Sequence, residues 1–404
     1  MHRDIVVIGG GHAAAQFCAG MAEVGLGARV HLVCEEPDLP YQRPPLSKSF
    51  LKQASEEPQP IRDEDWYKAA RIQVHLGVSV EAIDRASGAI TLSDGRNLRY
   101  KTVVMATGTR ARTVAALPSG LTNVAHLRSA QDARALRVRL KQAQRVVVLG
   151  GGFIGLEIAS TAQSMRRQVT VLEAAPRLLA RSLSPEMAEH VLHTHRAAGI
   201  DIRLGEMASS FEVTHGQVQA IHVGETRLPL DLLIVGIGAV PESRLAQDAG
   251  LLCRDGVVVD AFMRSSDPNI LAIGDCARFP LGNGSGDRRL ESVQNAQDQA
   301  RAAVATVLGQ PAAYAALPWF WSEQGSMRLQ MAGCMPKDSV RHRRPGAREG
   351  AFSILHYTAE GRLACVECVN VPQDYMAARN LLAAGRSPGP QDACDPATPL
   401  KWLV

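Results

Sequence analysis

Apolar and polar positions follow two textures along the chain. Up to about residue 317, short β-branched runs alternate with stretches of helical spacing. The runs at 5–8, 30–34, 101–105, 146–149, 169–172 and 270–273 predict buried strands, and 232–241 a glycine-rich strand end. The intervening spacing predicts helices over 12–24, 130–142, 153–165, 184–198 and 292–308. Residues 90–98, ITLSDGRNL, predict a hairpin around Asp94-Gly95. From Pro318 the alternation shortens: 327–333, 351–358 and 363–370 predict antiparallel strands, 373–384 a last helix and 388–399 a loop. Strands alternating with helices imply an α/β parallel sheet, followed by a separate C-terminal α+β domain.

Within the first texture the chain repeats itself. Ile5-Val6-Val7-Ile8-Gly9-Gly10-Gly11-His12-Ala13-Ala14 returns 141 residues later as Val146-Val147-Val148-Leu149-Gly150-Gly151-Gly152-Phe153-Ile154-Gly155. Each copy leads through a helical stretch into a second apolar run that ends in acid, at Glu35 and at Glu173. This order, strand, glycine turn, helix, strand, acid, is that of a Rossmann-like dinucleotide-binding unit. A pyrophosphate needs bare backbone N–H groups at a helix N-terminus, and only small residues let it come close. Gly9 and Gly11, or Gly150 and Gly152, supply the approach; Ala14 and Gly155 let helix and strand pack. Glu35 lies 21 residues beyond Ala14 and Glu173 18 beyond Gly155, within reach of adenosine ribose hydroxyls. A carboxylate at Glu173 repels a 2′-phosphate, so NADH is expected over NADPH in the second unit, with Arg177 and Arg181 nearby as the opposing feature.

Composition narrows the class. With 404 residues, 46% hydrophobic and 21% charged, the chain is neither disordered nor fibrous. Its 35 glycines have no collagen period and point to tight turns. A net charge of +4 is too mild for nucleic-acid binding, yet suits an acidic protein partner. The longest apolar or glycine runs, 146–156 and 232–240, fall short of the roughly 18 residues that span a bilayer. The N-terminus passes directly into the 5–9 run without a targeting stretch. Eight scattered cysteines lack the density of a disulfide framework, so reduced thiols in a cytoplasm are expected.

Further motifs carry a specific resemblance: Pro40-Tyr41-Gln42-Arg43-Pro44-Pro45-Leu46-Ser47-Lys48, Ala106-Thr107-Gly108, Gly150 to Glu157, Gly274-Asp275-Cys276-Ala277-Arg278-Phe279, Glu291-Ser292-Val293-Gln294-Asn295 and Pro318-Trp319-Phe320-Trp321-Ser322. With the two fingerprints, they resemble over essentially the whole chain the FAD- and NADH-dependent ferredoxin reductases that serve bacterial cytochrome P450s and ring-hydroxylating dioxygenases. The resemblance implies a glutathione-reductase-like arrangement. An FAD domain (1–108 and 244–317) is interrupted by an NAD domain (109–243), and a C-terminal domain (318–404) contacts the flavin. It implies that Asp275 accepts from the ribityl chain, that Lys48 lies by flavin N5 paired with Glu157, and that Val293 meets the pyrimidine end through its backbone. Gly9, Gly11, His12, Ala13, Ala14, Glu35, Arg43, Val80, Ala106, Thr107, Gly108, Arg128, Gly274, Ser292 and Trp321 complete the FAD set. Gly150, Gly152, Phe153, Ile154, Gly155, Glu157, Glu173, Arg181, Gly236, Ile237 and Gly238 form the NAD set, with Glu291 on the nicotinamide side. A cation beside N5 would stabilise negative charge on the reduced flavin. The residues alone leave plainer readings open: Asp275 as a helix cap, Lys48 and Arg128 as solvated cations, Glu157 as a first-turn acid and Trp321 as a core residue.

The cysteines separate this reading from disulfide reductases, which need a redox thiol soon after the first βαβ acid. The stretch 36–48 contains none. Cys365-Val366-Glu367-Cys368 lies in a predicted strand, where residues three apart face opposite sides, and is expected to be structural. His190, His193 and His195 have no Cys or acidic partner at ligand spacing; no metal is expected and a solvated helix face is. The partner implied is a [2Fe-2S] ferredoxin, received electrostatically by Arg341-His342-Arg343-Arg344 with Arg348, and by Arg288-Arg289; a charged solvated loop is the plainer reading of these clusters. A monomer or weak dimer is expected. A rubredoxin reductase, or a slow-turnover signalling flavoprotein resembling apoptosis-inducing factor, is the alternative.

Overall fold

The computed structural model describes residues 4–281, 286–315 and 317–404. Its contacts form two compact units: Met1–Pro44 with Glu57–Arg110 and Ala239–Ala316, and Pro45–Glu56 with Ala111–Gly238 and Leu317–Val404.

The first unit is built on a five-stranded parallel sheet in the order Ile270–Ala272, Thr102–Met105, Ile5–Ile8, Val30–Cys34, Gln73–Leu76. Its β-branched runs are apolar on both faces, as a parallel sheet covered on both sides requires. Helix His12–Glu23 packs against helix Val293–Val307, and at Gly20 a Cβ would lie 2.9 Å from Val304. The hairpin is present as Ala89–Leu92 and Asn97–Arg99, with Val80–Asp84 completing a three-stranded sheet.

The second unit includes two five-stranded sheets on separate cores. One is parallel, in the order Asp201–Leu204, Gln168–Glu173, Arg145–Leu149, Leu232–Val235, Val124–Ala125. The other is antiparallel, in the order Trp319–Gln324, Met327–Gly333, Leu363–Val369, Phe352–Tyr357, Val340–Pro345, with helix Pro372–Ala383 packed on it. Residues 45–56 belong to this unit as well. The last segment is held by Arg137, which stacks 4.5 Å over Phe50 and donates to the carbonyls of Gln53 and Glu56 at 3.0 and 2.7 Å.

Three elements depart from expectation. Val340–Pro345, the arginine-rich run read as a loop, is a strand; as the last strand in its sheet order it needs few apolar positions, so no alternation marked it. Trp319–Gln324 is a strand as well. The 388–399 stretch contains the short helix Pro390–Cys394, with Pro at its start.

Candidate functional site

In the first unit the glycine turn does what its composition requires. Gly9 has φ +120° and a Cβ there would lie 2.3 Å from the Ala106 carbonyl, so the turn touches the Ala106-Thr107-Gly108 strand end directly. Gly11 precedes helix His12–Glu23 with no side-chain cap and no acid in the first turn. A Cβ on Gly11 would meet nothing within 4 Å. The first-turn N–H groups of a helix lack intrahelical partners, so the turn presents the positive helix end to open space. That cradle fits a pyrophosphate. Ala13 and Ala14 are buried beneath it, and His12 Nε2 lies 3.0 Å from Gln42 Oε1.

Gly274, at φ +75°, brings the Gly274–Cys276 turn against Ala13, 3.1 Å from the Cβ it lacks, and its N–H donates to Gln299 Oε1. The Asp275 carbonyl accepts from Arg289 at 3.1 Å. Thr107 donates to the Glu242 carbonyl, and Gly108 has φ +69°. Ser292 caps helix Val293–Val307 by accepting from Asn295 N–H, and that first turn carries no acid either. Glu291 is half-exposed and paired to Arg289 at 2.5 Å. Val80 is partly buried against the main core, in the three-stranded sheet.

Glu36 is a residue the sequence reading missed. It accepts from Tyr41 and from Arg43, both at 2.6 Å, and so fixes Arg43. Burial works against the Arg43 charge, but Tyr41, Glu36 and Asp275 outweigh it and hold its pKa above the usual value. The doublet Glu35-Glu36 was the available signal. Glu35 itself is exposed just beyond the strand.

The second unit repeats the turn. Gly150 has φ +100° and a Cβ there would lie 2.4 Å from the Gly236 carbonyl; one on Gly155 would lie 2.3 Å from the Gly150 carbonyl. Gly152 faces open space, again without cap or acid in the first turn. Glu173 accepts from Gly151 N–H at 2.6 Å and from Ala175 N–H at 2.7 Å. Arg181 reaches Gly238, 3.7 Å from the Cβ it lacks, so Arg181 and the strand end Gly236-Ile237-Gly238 come together. Phe153 packs on Phe320 with ring centroids 4.6 Å apart, and Ile154 beside it is 48% exposed.

The same unit joins Lys48 to Glu157. Lys48 Nζ lies 2.7 Å from Glu157 Oε2, with Glu157 buried. Ser47 donates to the same oxygen at 2.5 Å and Ser322 to the other at 2.7 Å. Thr161 donates to the Ser47 carbonyl and secures the loop. Ser47 and Ser322 stood inside quoted motifs without a role; nothing in their spacing foretold that two hydroxyls would converge on one carboxylate. Trp321 is partly buried and tilts against Trp319 at 5.7 Å. Arg128 lies before the capping box of helix Ala130–Gln142, its N–H donating to Asp132.

Several expectations need correction. His195 is buried and bonded to Gln324 at 2.8 Å, and His190 packs edge-on to Phe352. Only His193 is solvent-facing, paired with Glu189 at 3.6 Å. Arg344 is buried, held by Asp374 at 3.0 Å and by the carbonyls of Ala393, Asp395 and Thr398. Arg289 is similarly enclosed. Arg344 cannot serve a docking surface, because its guanidinium donors are consumed inside the fold, and the Arg289 side chain is only 11% exposed and paired with Glu291. Among the described residues no group of three or more His, Cys, Asp or Glu could hold a metal, and no helix is long and apolar enough to cross a membrane. Cys365 and Cys368 are buried thiols, burial raising both, Cys368 to about 12.

Known proteins identify the family to which this chain belongs. Residues 3–300 match the pyridine nucleotide-disulphide oxidoreductase family and 319–404 the reductase C-terminal domain. The chain belongs to that family, and is an oxidoreductase that uses FAD and NAD(H). Within it, the chain is 37% identical to the anthranilate 1,2-dioxygenase system ferredoxin–NAD(+) reductase component of Burkholderia cepacia, over 99% of this chain and 98% of the relative. The ferredoxin reductase for the CYP199A2 system of Rhodopseudomonas palustris matches with TM-score 0.95 and 35% identity, covering 99% of both chains. The covalent putidaredoxin reductase–putidaredoxin complex matches with TM-score 0.93 and 36% identity, covering 100% of this chain and 98% of the other.

Proposed function

We propose that the protein is an NADH:[2Fe-2S] ferredoxin oxidoreductase supplying a cytochrome P450 or ring-hydroxylating dioxygenase. Bound FAD supplies the chemistry, taking a two-electron hydride and releasing single electrons. The first glycine turn, Asp275, Arg43 and the Val293 helix end hold it; the second turn, Glu173, Arg181 and Gly236–Gly238 hold NADH. These roles extend to every residue of the FAD and NAD sets named from sequence, and the domain plan 1–108 with 244–317, 109–243 and 318–404 goes with them. Glu157 orients Lys48, whose charge serves flavin N5. The observation that carries the reading is the combination of two open phosphate cradles with buried, protonated thiols at Cys18 and Cys34, which leaves electrons to depart without a cysteine.

Ferredoxin docking is assigned to the exposed arginines Arg341 and Arg343 of the edge strand Val340–Pro345 and Arg348 of the turn that follows it. Arg343 lies over the Phe352 ring at 4.0 Å and reaches Glu186 at 3.1 Å, so it is oriented yet about half exposed. The test is anaerobic stopped-flow reduction with NADH or NADPH, followed by mixing with [2Fe-2S] ferredoxins and rubredoxin. Fast reduction by NADH and transfer to a ferredoxin are expected, with KM rising with ionic strength and in Arg343→Glu. Transfer to rubredoxin alone, or to no carrier, overturns the proposal.

A further inference from the structure

Two hydrogen-bonded arms end on the Glu157 carboxylate, and each has a fixed direction. In the short arm Lys48 Nζ donates to Ser47 Oγ at 3.1 Å, so the single Ser47 proton goes to Glu157 Oε2. In the long arm Gln324 Nε2 donates to Ser322 Oγ at 3.1 Å, so the single Ser322 proton goes to Glu157 Oε1. Gln324 then turns its Oε1 to His195 Nε2 at 2.8 Å, and that nitrogen must carry the proton. Ser322, Gln324, His195 and Glu157 are all buried, and among the described residues Glu157 Oε1 is the acceptor that Ser322 Oγ meets at 2.7 Å. Ser322 and Gln324 share one face of the strand Trp319–Gln324 by the two-residue period. His195 comes from the last turn of helix Pro185–Ala197, and Gly325 at φ +61° lets the following turn approach Ser160.

We propose that His195 is a positioning residue for the Lys48–Glu157 pair, acting by fixing the Gln324 amide so that Ser322 always donates to Glu157. The inference rests on the reading that Lys48 serves the flavin. Were His195 Nε2 an acceptor, the Gln324 amide would turn over. Its oxygen would then take the Ser322 proton, and Glu157 would face a lone pair instead of a donor. A buried carboxylate deprived of a charge-assisted hydrogen bond holds its ammonium partner less firmly, because nothing from solvent replaces the lost donor. His195 thus acts on Lys48 through three intervening side chains, and neither touches nor transfers anything itself.

The test measures, on the FAD-loaded enzyme, the limiting rate of flavin reduction by NADH and, without NADH, the flavin midpoint potential. His195→Phe keeps an aromatic ring but removes the donor; the rate is expected to fall roughly fivefold, and the potential to drop. His195→Gln, which returns an N–H at similar reach, is expected to recover both. Ser322→Ala is expected to match His195→Phe, and the double variant to be no slower than Ser322→Ala alone, since both remove one donor. If His195→Phe does not fold, Gln324→Leu takes its place in the cycle. Lys48→Met separates the two ideas. An unchanged rate in Lys48→Met overturns the assignment of Lys48 to the flavin. A slow Lys48→Met with an unaffected His195→Phe, a His195→Gln as slow as His195→Phe, or effects that multiply in the double variant overturn the role of His195.

Discussion

The two glycine turns are laid out in the same register but meet a different side chain at the end of the neighbouring strand. Ile8 pairs with Val33 in the first sheet and Leu149 with Leu172 in the second. Gly9 N–H donates to the Val33 carbonyl at 2.8 Å, as Gly150 N–H does to that of Leu172. The next residue is Cys34 in one and Glu173 in the other. A Cβ on Gly10 would lie 3.1 Å from Cys34 Sγ, and one on Gly151 3.1 Å from Glu173 Oε2. Sequence spacing pairs Glu35 with Glu173, but the register pairs Cys34 with it and leaves Glu35 one step further on, in solvent. The difference teaches that an acid on the last strand residue is captured by the turn's own N–H groups, whereas an acid one place later is left to a ligand. In the first unit a thiol fills the captured position, and burial pushes it up to about 12.

The largest effects test what the turns share. Gly9→Ala and Gly150→Ala each force a methyl into a carbonyl at a positive φ. Gly9→Ala should yield protein without FAD, read by flavin absorbance. Gly150→Ala should retain FAD while KM for NADH rises by about a hundredfold or more, which a cost near 3 kcal/mol implies. Equal loss of FAD in both variants would break the division of labour between the turns.

Effects of middle size test where the turns differ. Glu173→Ala removes both a ribose acceptor and the group that satisfies Gly151 and Ala175 N–H, so KM for NADH should rise about tenfold and the preference over NADPH should narrow. Glu35→Ala, exposed and not engaged by the turn, should weaken FAD by only a few-fold in a dialysis or fluorescence titration. A larger effect at Glu35 than at Glu173 would reverse the comparison.

The smallest effect on ligand binding belongs to Cys34, whose burial acts on stability instead. Burial is the chief cause of a folded pKa near 12, against 9.0 for an ordinary thiol, so the folded state retains a proton that the unfolded chain gives up. Stability is therefore fully present below about pH 9 and declines as pH rises toward 12, by up to 1.4 kcal/mol for each unit of that interval. Urea midpoints measured from pH 8 to 11 should fall less steeply in Cys34→Ala than in the parent. In the native protein at pH 8, iodoacetamide should leave Cys18, Cys34 and Cys276 unmodified.

Local signals made most of the fold legible. The helix expected at 153–165 forms as Phe153–Ser164 and the strand expected at 327–333 as Met327–Gly333, because apolar periodicity and glycine placement act over a few residues. Both glycine turns followed from residue size and spacing, whereas the contact of Gly9 with the Ala106 carbonyl came from the structure. The Lys48–Glu157 pair entered through resemblance, and Glu36, Ser47, Ser322 and the burial of Arg344 through neither route. A strand of arginines looks solvated until the carbonyls of a distant loop are found around one of them.

The sequence by itself determined two nucleotide cradles, the absence of a thiol in the stretch after the first acid, and the order of the elements, since each depends on the size, charge or periodicity of near neighbours. Tertiary structure alone decided which acid each turn captures, which arginines remain available to a partner, and that Lys48, Ser47 and Ser322 meet on one buried carboxylate. Those outcomes depend on register and on contacts between residues from 22 to 165 positions apart, and a hydrogen bond has direction and reach that spacing along the chain does not carry.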